Sequence, residues 1–304
     1  MFLENLVVAP CTISCAPYWI LSDNPKLGAL MRSRSIITLG TIGVAIGALL
    51  MPTAQAAVPV APLPTIMAAA GDSITRGYDA ASGCLLTDCP QYSWATGTVA
   101  SVNSQLNRII KAPKTATAIN VAKTGAKMID LDGQLTAAAA GNADYVTILL
   151  GANDLCTPTT ATMTPVATFT SQFQTAMTKF TAAKPNAYVY VSSIPNVSKL
   201  YSLFSTNLGA KLVWSTGKVC QSLLASNGTA AQRTQVATQE TAFNNALQTV
   251  CATFSHCLYD NGATFAVNFV AADVSTIDYF HPSPAGQAKL AAATWASGYW
   301  PTTP

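Results

Sequence analysis

Apolar residues in this chain fall into short continuous blocks separated by longer mixed stretches. Thr65-Ile66-Met67-Ala68-Ala69-Ala70 stops at Gly71, and Tyr145-Val146-Thr147-Ile148-Leu149-Leu150 stops at Gly151. Apolar blocks of this length, stopped by glycine, predict buried strands. Residues 116–121, 188–191 and 264–269 predict three more. Between them, residues 94–110, 128–140, 165–183, 202–224 and 230–253 predict helices. Thr164 is placed as the N-cap of the third, with Pro165 at its first position. Ser283-Pro284 opens a last helix to about Trp295. Strands that are apolar throughout are buried on both faces. That implies a central parallel sheet of about five strands sandwiched by helices, a three-layer α/β/α arrangement. In such sheets ligands bind at the carboxyl ends of the strands.

The N-terminal stretch has a different pattern. Met31-Arg32-Ser33-Arg34 carries two positive charges, an apolar run follows over residues 36–51, and Pro52-Thr53-Ala54-Gln55-Ala56 ends in an A-x-A pattern. This is the layout of a secretory signal peptide. The run falls short of the ~20 residues of a membrane span. The expected organisation is an upstream segment over 1–30 preceding the true start at Met31, a signal peptide over 31–56, and a secreted domain over 57–304. Residues 57–64, rich in Ala, Val and Pro, are expected to be a tether.

Composition narrows the function classes. Half of the 304 residues are apolar, 10% are charged, and the net charge is +3. A chain this apolar is not intrinsically disordered, and so weak a field implies no nucleic-acid partner. Of eight cysteines, Cys11 and Cys15 precede the expected cleavage point. The remaining six, an even number in a secreted chain, read as disulfides. Cys84 lies close to Cys89 in sequence and Cys251 close to Cys257, which leaves Cys156 for Cys220. A zinc site lacks support, because no C-x2-C spacing occurs.

The chemistry sits at the ends of the predicted strands. Gly71-Asp72-Ser73 ends the first, Gly151-Ala152-Asn153-Asp154 ends the third, and Asp278-Tyr279-Phe280-His281-Pro282 precedes the last helix. A serine hydroxyl is a weak nucleophile until a base takes its proton. The only imidazoles are His256 and His281. His281 has Asp278 three residues earlier, able to hold one tautomer. Asn153 can offer a side-chain N–H, and Gly125 an unobstructed backbone N–H, to a developing oxyanion. Asp72 and Asp154 read as structural hydrogen-bonders, Arg76 as a surface charge, and His256 as a bystander in a surface loop. No G-x-S-x-G elbow, H-E-x-x-H, P-loop or dinucleotide fingerprint is present.

In these blocks, taken in order from Gly71 to His281, the chain resembles the SGNH (GDSL-type) hydrolase superfamily. Ile74 stands where that family often has Leu. The stretches Tyr92-Ser93-Trp94, Asn120-Val121-Ala122 and Gly151-Ala152-Asn153-Asp154-Leu155-Cys156 are similar to its phospholipase B-like branch. The resemblance implies a flavodoxin-like fold, with Ser73 as nucleophile, His281 as base and Asp278 orienting it. It implies an oxyanion hole of the Ser73 and Gly125 N–H groups and the Asn153 side chain, with no cofactor or metal. The expected activity is that of a secreted serine esterase acting on lipid or short acyl esters through an acyl-enzyme. It would work as a monomer with transient contact to lipid surfaces. A carbohydrate acetylesterase, or a catalytically silent binding module on the same fold, are the alternatives.

Overall fold

A computed structural model describes residues 61–111 and 115–302. The expected signal peptide, the segment before it and residues 57–60 lie outside the described residues. The chain runs β1 (Ile66–Gly71), α1 (Ser73–Arg76), α2 (Gln105–Lys111), β2 (Thr117–Asn120), α3 (Leu131–Ala140), β3 (Tyr145–Leu149), α4 (Ala152–Leu155), α5 (Val166–Ala183), β4 (Tyr188–Val191), α6 (Ser198–Phe204), α7 (Leu208–Thr216), α8 (Gln221–Leu224), α9 (Ala230–Cys251), β5 (Cys257–Tyr259) and α10 (Pro284–Ala296).

The five strands form one parallel sheet in the order β2-β1-β3-β4-β5. This is the doubly wound, flavodoxin-like order, and it reverses direction between β1 and β3. Strand alternation assigns the two faces. Ala68 and Ala70 of β1, Val146 and Ile148 of β3, and Val189 and Val191 of β4 join Phe169, Phe173 and Phe243 of α5 and α9 in one core. Met67, Ala69, Tyr145, Leu149 and Tyr190 join Trp94, Ile109, Leu290 and Trp295 in the other. The three layers are therefore helices, sheet, helices.

Several expectations are corrected. The fifth strand is Cys257–Tyr259, not 264–269. The expected segment is a chain of turns, with Ala266 N–H donating to the Gly262 carbonyl and Val267 to Thr264. The segment after α9, looped back through the Cys251–Cys257 disulfide, is the one that pairs with the edge of β4 not taken by β3. The helix expected over 94–110 begins only at Gln105. Trp94 N–H is taken by the Gln287 side chain, and Asn103 has a left-handed φ of 50°. The helix expected over 202–224 is three pieces. Asn207 caps α7 through Ala210 N–H, and Lys218 and Cys220 turn with positive φ before α8. Thr164 does not cap α5. Its hydroxyl donates to the buried Asp154 instead, and Pro165 stands before the first helical residue. Residues 61–64 are not a free tether, since Ala61 is buried and its carbonyl accepts from the Trp300 indole at 2.7 Å.

Candidate active site

β1 ends in a turn that only glycine can make. Gly71 has φ of 156°, and a Cβ there would lie 2.4 Å from Thr75 Oγ1 and 2.6 Å from the Leu149 carbonyl oxygen. Gln134 of α3 clamps it, accepting from Gly71 N–H at 2.7 Å and donating to its carbonyl at 2.9 Å. Asp72 caps α1 through Ile74 N–H at 2.9 Å, which leaves Ser73 as the first helical residue. Gln287 of α10 donates to the Ile74 carbonyl at 2.8 Å, tying the serine's helix to the one that follows His281.

The loop before α10 folds back on itself. Ser275 N–H donates to the His281 carbonyl, Tyr279 N–H to Ser275, and Val274 bridges Pro282. His281 Nε2 thereby comes within 2.7 Å of Ser73 Oγ across 208 residues of sequence. Its Nδ1 is bonded to Asp278 Oδ2. Asp278 Oδ1 accepts from Phe280 and His281 N–H at 2.9 and 3.0 Å. Burial works to raise the Asp278 pKa, but the His281 bond and charge and the two backbone donors outweigh it. The carboxyl is held below its ordinary value.

Ser73, His281, Asp278, Gly125 and Asn153 line one cleft of about 380 Å³. Asn153 Nδ2 donates to the Ala126 carbonyl at 3.0 Å, so its amide is held against the Gly125 turn. At Gly125 an added Cβ would meet nothing within 4 Å. Asp154 is buried beside it and accepts from Met128 N–H at 2.9 Å and Thr164 Oγ1 at 2.7 Å. All five sequence candidates are thus brought to the carboxyl edge of the sheet.

Of the remaining residues singled out in the sequence, Cys156 and Cys220 also line the cleft, and the others lie outside its lining. His256 does not line the cleft; its ring stacks on Tyr188 at 4.6 Å. Arg76 is paired with Asp88 at 2.9 Å. Cys84–Cys89, Cys156–Cys220 and Cys251–Cys257 are disulfides. Two neighbours were not anticipated. The Tyr78 ring lies 5.1 Å from the His281 ring, and Asp79 is buried with polar atoms within 4.8 Å of Asp278 and His281. Nothing in the sequence near Asp79 marks it as part of the site, because its burial comes from a loop closed elsewhere. This cluster offers a metal no free imidazole nitrogen, since His281 Nδ1 faces Asp278 and Nε2 faces Ser73.

A buried hydroxyl facing an imidazole, itself held by a carboxylate, is the arrangement that activates serine. The model of the GDSL-like lipase/acylhydrolase family matches residues 69–289, which spans every one of these groups. The chain belongs to that family. Its members are esterases and lipases. A protein from Parabacteroides merdae assigned as a GDSL-like lipase has a similar structure at 17% identity. The match covers 76% of this chain and 94% of that one, with a TM-score of 0.51. An acetyl xylan esterase from Geobacillus stearothermophilus aligns at 18% identity over 77% of this chain and 94% of its own, with a TM-score of 0.48. At such identities the likeness concerns the fold. No curated protein matches the chain in sequence.

Proposed function

We propose that this GDSL-family chain is a secreted serine esterase that hydrolyses carboxylic esters of lipids or short acyl groups. The observation that carries the reading is the continuous bonding of Ser73, His281 and Asp278 in an open cleft. His281 Nε2 takes the hydroxyl proton as Ser73 Oγ attacks the ester carbonyl carbon. The carbonyl electron pair moves to oxygen, where the Ser73 and Gly125 N–H groups and the Asn153 amide meet it. The intermediate collapses, the alcohol leaves with the proton from His281, and the acyl group stays on Ser73. Water then attacks the acyl-enzyme, again giving its proton to His281, and the acid departs. Asp278 stays ionised and fixes the ring through Nδ1–H.

Three features support an acyl substrate and an extracellular setting. Phe280 lines both the cleft and a small apolar cavity with Ile74, Val197, Leu200 and Phe269, a place for an acyl tail. Leu86, 72% exposed, lines the cleft, and Leu85, 65% exposed, precedes it in the chain. Leu208 and Leu212 are exposed on α7, whose Val213 lines it together with Gly217 just after the helix. Such apolar rims suit brief contact with a lipid surface. Three disulfides suit an oxidising compartment. The test is a series of p-nitrophenyl esters of graded chain length beside phosphatidylcholine and acetylated xylan. Hydrolysis of the acyl esters, lost in Ser73→Ala, is expected. Turnover of acetylated xylan alone would move the reading to a carbohydrate esterase, and no turnover at all to a binding module.

A further inference from the structure

The cleft holds a second carboxyl that this mechanism leaves unused. Asp79 is 1% exposed, and its backbone φ is 52°, a left-handed conformation that Asp tolerates better than most residues. The loop closed by Cys84–Cys89 fixes it. Leu86 N–H donates to Asp79 Oδ1, and Asp79 N–H donates to the Thr87 carbonyl at 3.3 Å. Asp79 Oδ2 has no hydrogen-bond partner, and a carboxylate oxygen of Asp79 lies within 4.8 Å of both Asp278 and His281 across the cleft.

Two carboxyl groups cannot meet in a buried site unless one carries a proton, because two anions there repel. Asp278 is the one equipped to be ionised, with two backbone N–H groups and the imidazole bonded to it. The proton therefore belongs on Asp79, whose otherwise orphaned Oδ2 then becomes a donor. We propose that Asp79 is a positioning residue: a neutral carboxylic acid that donates a hydrogen bond to Asp278 and holds it against His281. The proposal rests on the esterase reading of the same site.

The electrostatics agree in direction. Burial raises the Asp79 pKa, the Leu86 bond opposes it, and the Asp278 charge and contact raise it further, while the His281 charge lowers it. The titratable groups that face Asp79 are Asp278 and His281 on the loop before α10, and Tyr78 beside it in the chain. When Asp79 loses its proton, a bond becomes a repulsion. Asp278 is pushed from the imidazole, and kcat falls as pH rises through the Asp79 ionisation.

The experiment compares Asp79→Ala and Asp79→Asn with wild type on a soluble p-nitrophenyl ester across pH. Asn keeps an acceptor for Leu86 N–H, a left-handed backbone and a donor toward Asp278 that never ionises. Asp79→Ala is expected to lower kcat roughly tenfold with KM little changed, the lower end of what outer partners of an oriented histidine are worth. Asp79→Asn is expected to recover most of that loss and to lack the fall of kcat that accompanies Asp79 ionisation. A wild-type pH profile of kcat that persists unchanged in Asp79→Asn overturns the proposal, as does wild-type kcat in Asp79→Ala. A proton NMR signal from His281 Nδ1–H gives a readout that needs no substrate. It should persist in Asp79→Asn and shift or broaden in Asp79→Ala; an unchanged signal in both overturns the proposal. Loss of the esterase reading appears separately, as an inactive wild type or an active Ser73→Ala. Should Asp79→Ala fail to fold, the pH profile of Asp79→Asn still decides.

Discussion

At the ends of β1 and β3 a glycine with positive φ, 156° at Gly71 and 129° at Gly151, leads into a four-residue helix with a fully buried aspartate. The two turns are then held in opposite ways. Asp72 caps its own helix through Ile74 and keeps Oδ2 without a partner, so the β1 turn is clamped from afar by Gln134 and Gln287. Asp154 ties its turn to two other loops through Met128 and Thr164, and Cys156 at the end of the same helix is joined covalently to Cys220. In the proposed mechanism the first turn presents the group that reacts, and distant side chains hold its helix beside His281. The second presents a fixed dipole, and local bonds and a disulfide make it rigid. On the proposed mechanism, similar backbone geometry would thus serve a nucleophile in one place and a donor in the other, according to what surrounds it.

The sharpest separation of the two turns is kinetic. Ser73→Ala and His281→Ala should each lower kcat/KM by about 10⁴ or more while circular dichroism stays native, because nucleophile and base act as a unit. Either variant remaining active would remove the β1 turn from the chemistry. Asn153→Ala should lower kcat by about 10²–10³ and leave KM nearly unchanged, the loss of one oxyanion donor. A rise in KM alone would reassign that turn to substrate binding.

Stability measurements probe how each turn is held. Replacing Cys156 and Cys220 together by alanine opens a loop with a sequence separation of 64, and denaturant titration should show a loss of about 4 kcal/mol in the chain-entropy model. At the β1 turn the corresponding lever is pH. Burial pushes the Asp72 pKa up to about 7 from an ordinary 3.8, against the Ile74 bond and the His281 charge. The unfolded chain therefore releases this proton first, and stability falls as pH rises from about 4 to 7. Asp72→Asn keeps an acceptor for Ile74 N–H and removes the titration. Its stability should fall less than that of wild type over the same range, by an amount on the order of a few kcal/mol. Parallel curves would mean that Asp72 ionises alike in both states. The smallest effect belongs to a residue outside both turns. His256→Ala should leave kcat/KM within a few-fold of wild type and cost about 1 kcal/mol through its stacking on Tyr188. A folded but inactive His256→Ala enzyme would contradict the division of labour between the two histidines.

Legibility in the sequence followed locality. Gly71-Asp72-Ser73 and Gly151-Ala152-Asn153-Asp154 stood out because turn glycines and reactive side chains follow apolar blocks directly. His281 stood out because only two histidines exist and one has Asp278 at hydrogen-bonding spacing. Gln134 and Gln287 gave no signal, since a glutamine in a helix is ordinary until its amide meets a buried backbone. Tyr78 and Asp79 were equally silent, because the loop that buries Asp79 closes at Cys84–Cys89 and its partner lies on the loop before α10.

The sequence by itself determined the parallel sheet, through apolar blocks that need burial on both faces, and the residue types at its carboxyl edge. Tertiary structure alone decided three other things: which late segment becomes β5, where the helix expected over 202–224 breaks, and which carboxyls near His281 are buried. Residues 264–269 have strand composition, but the edge of β4 opposite β3 is paired by Cys257–Tyr259, after the disulfide turn that follows α9. Apolar pattern and turn chemistry act over a few neighbours and can be read along the chain. Strand pairing, burial and the protonation of a carboxyl depend on groups brought from elsewhere in the sequence, and exist only once the chain has folded.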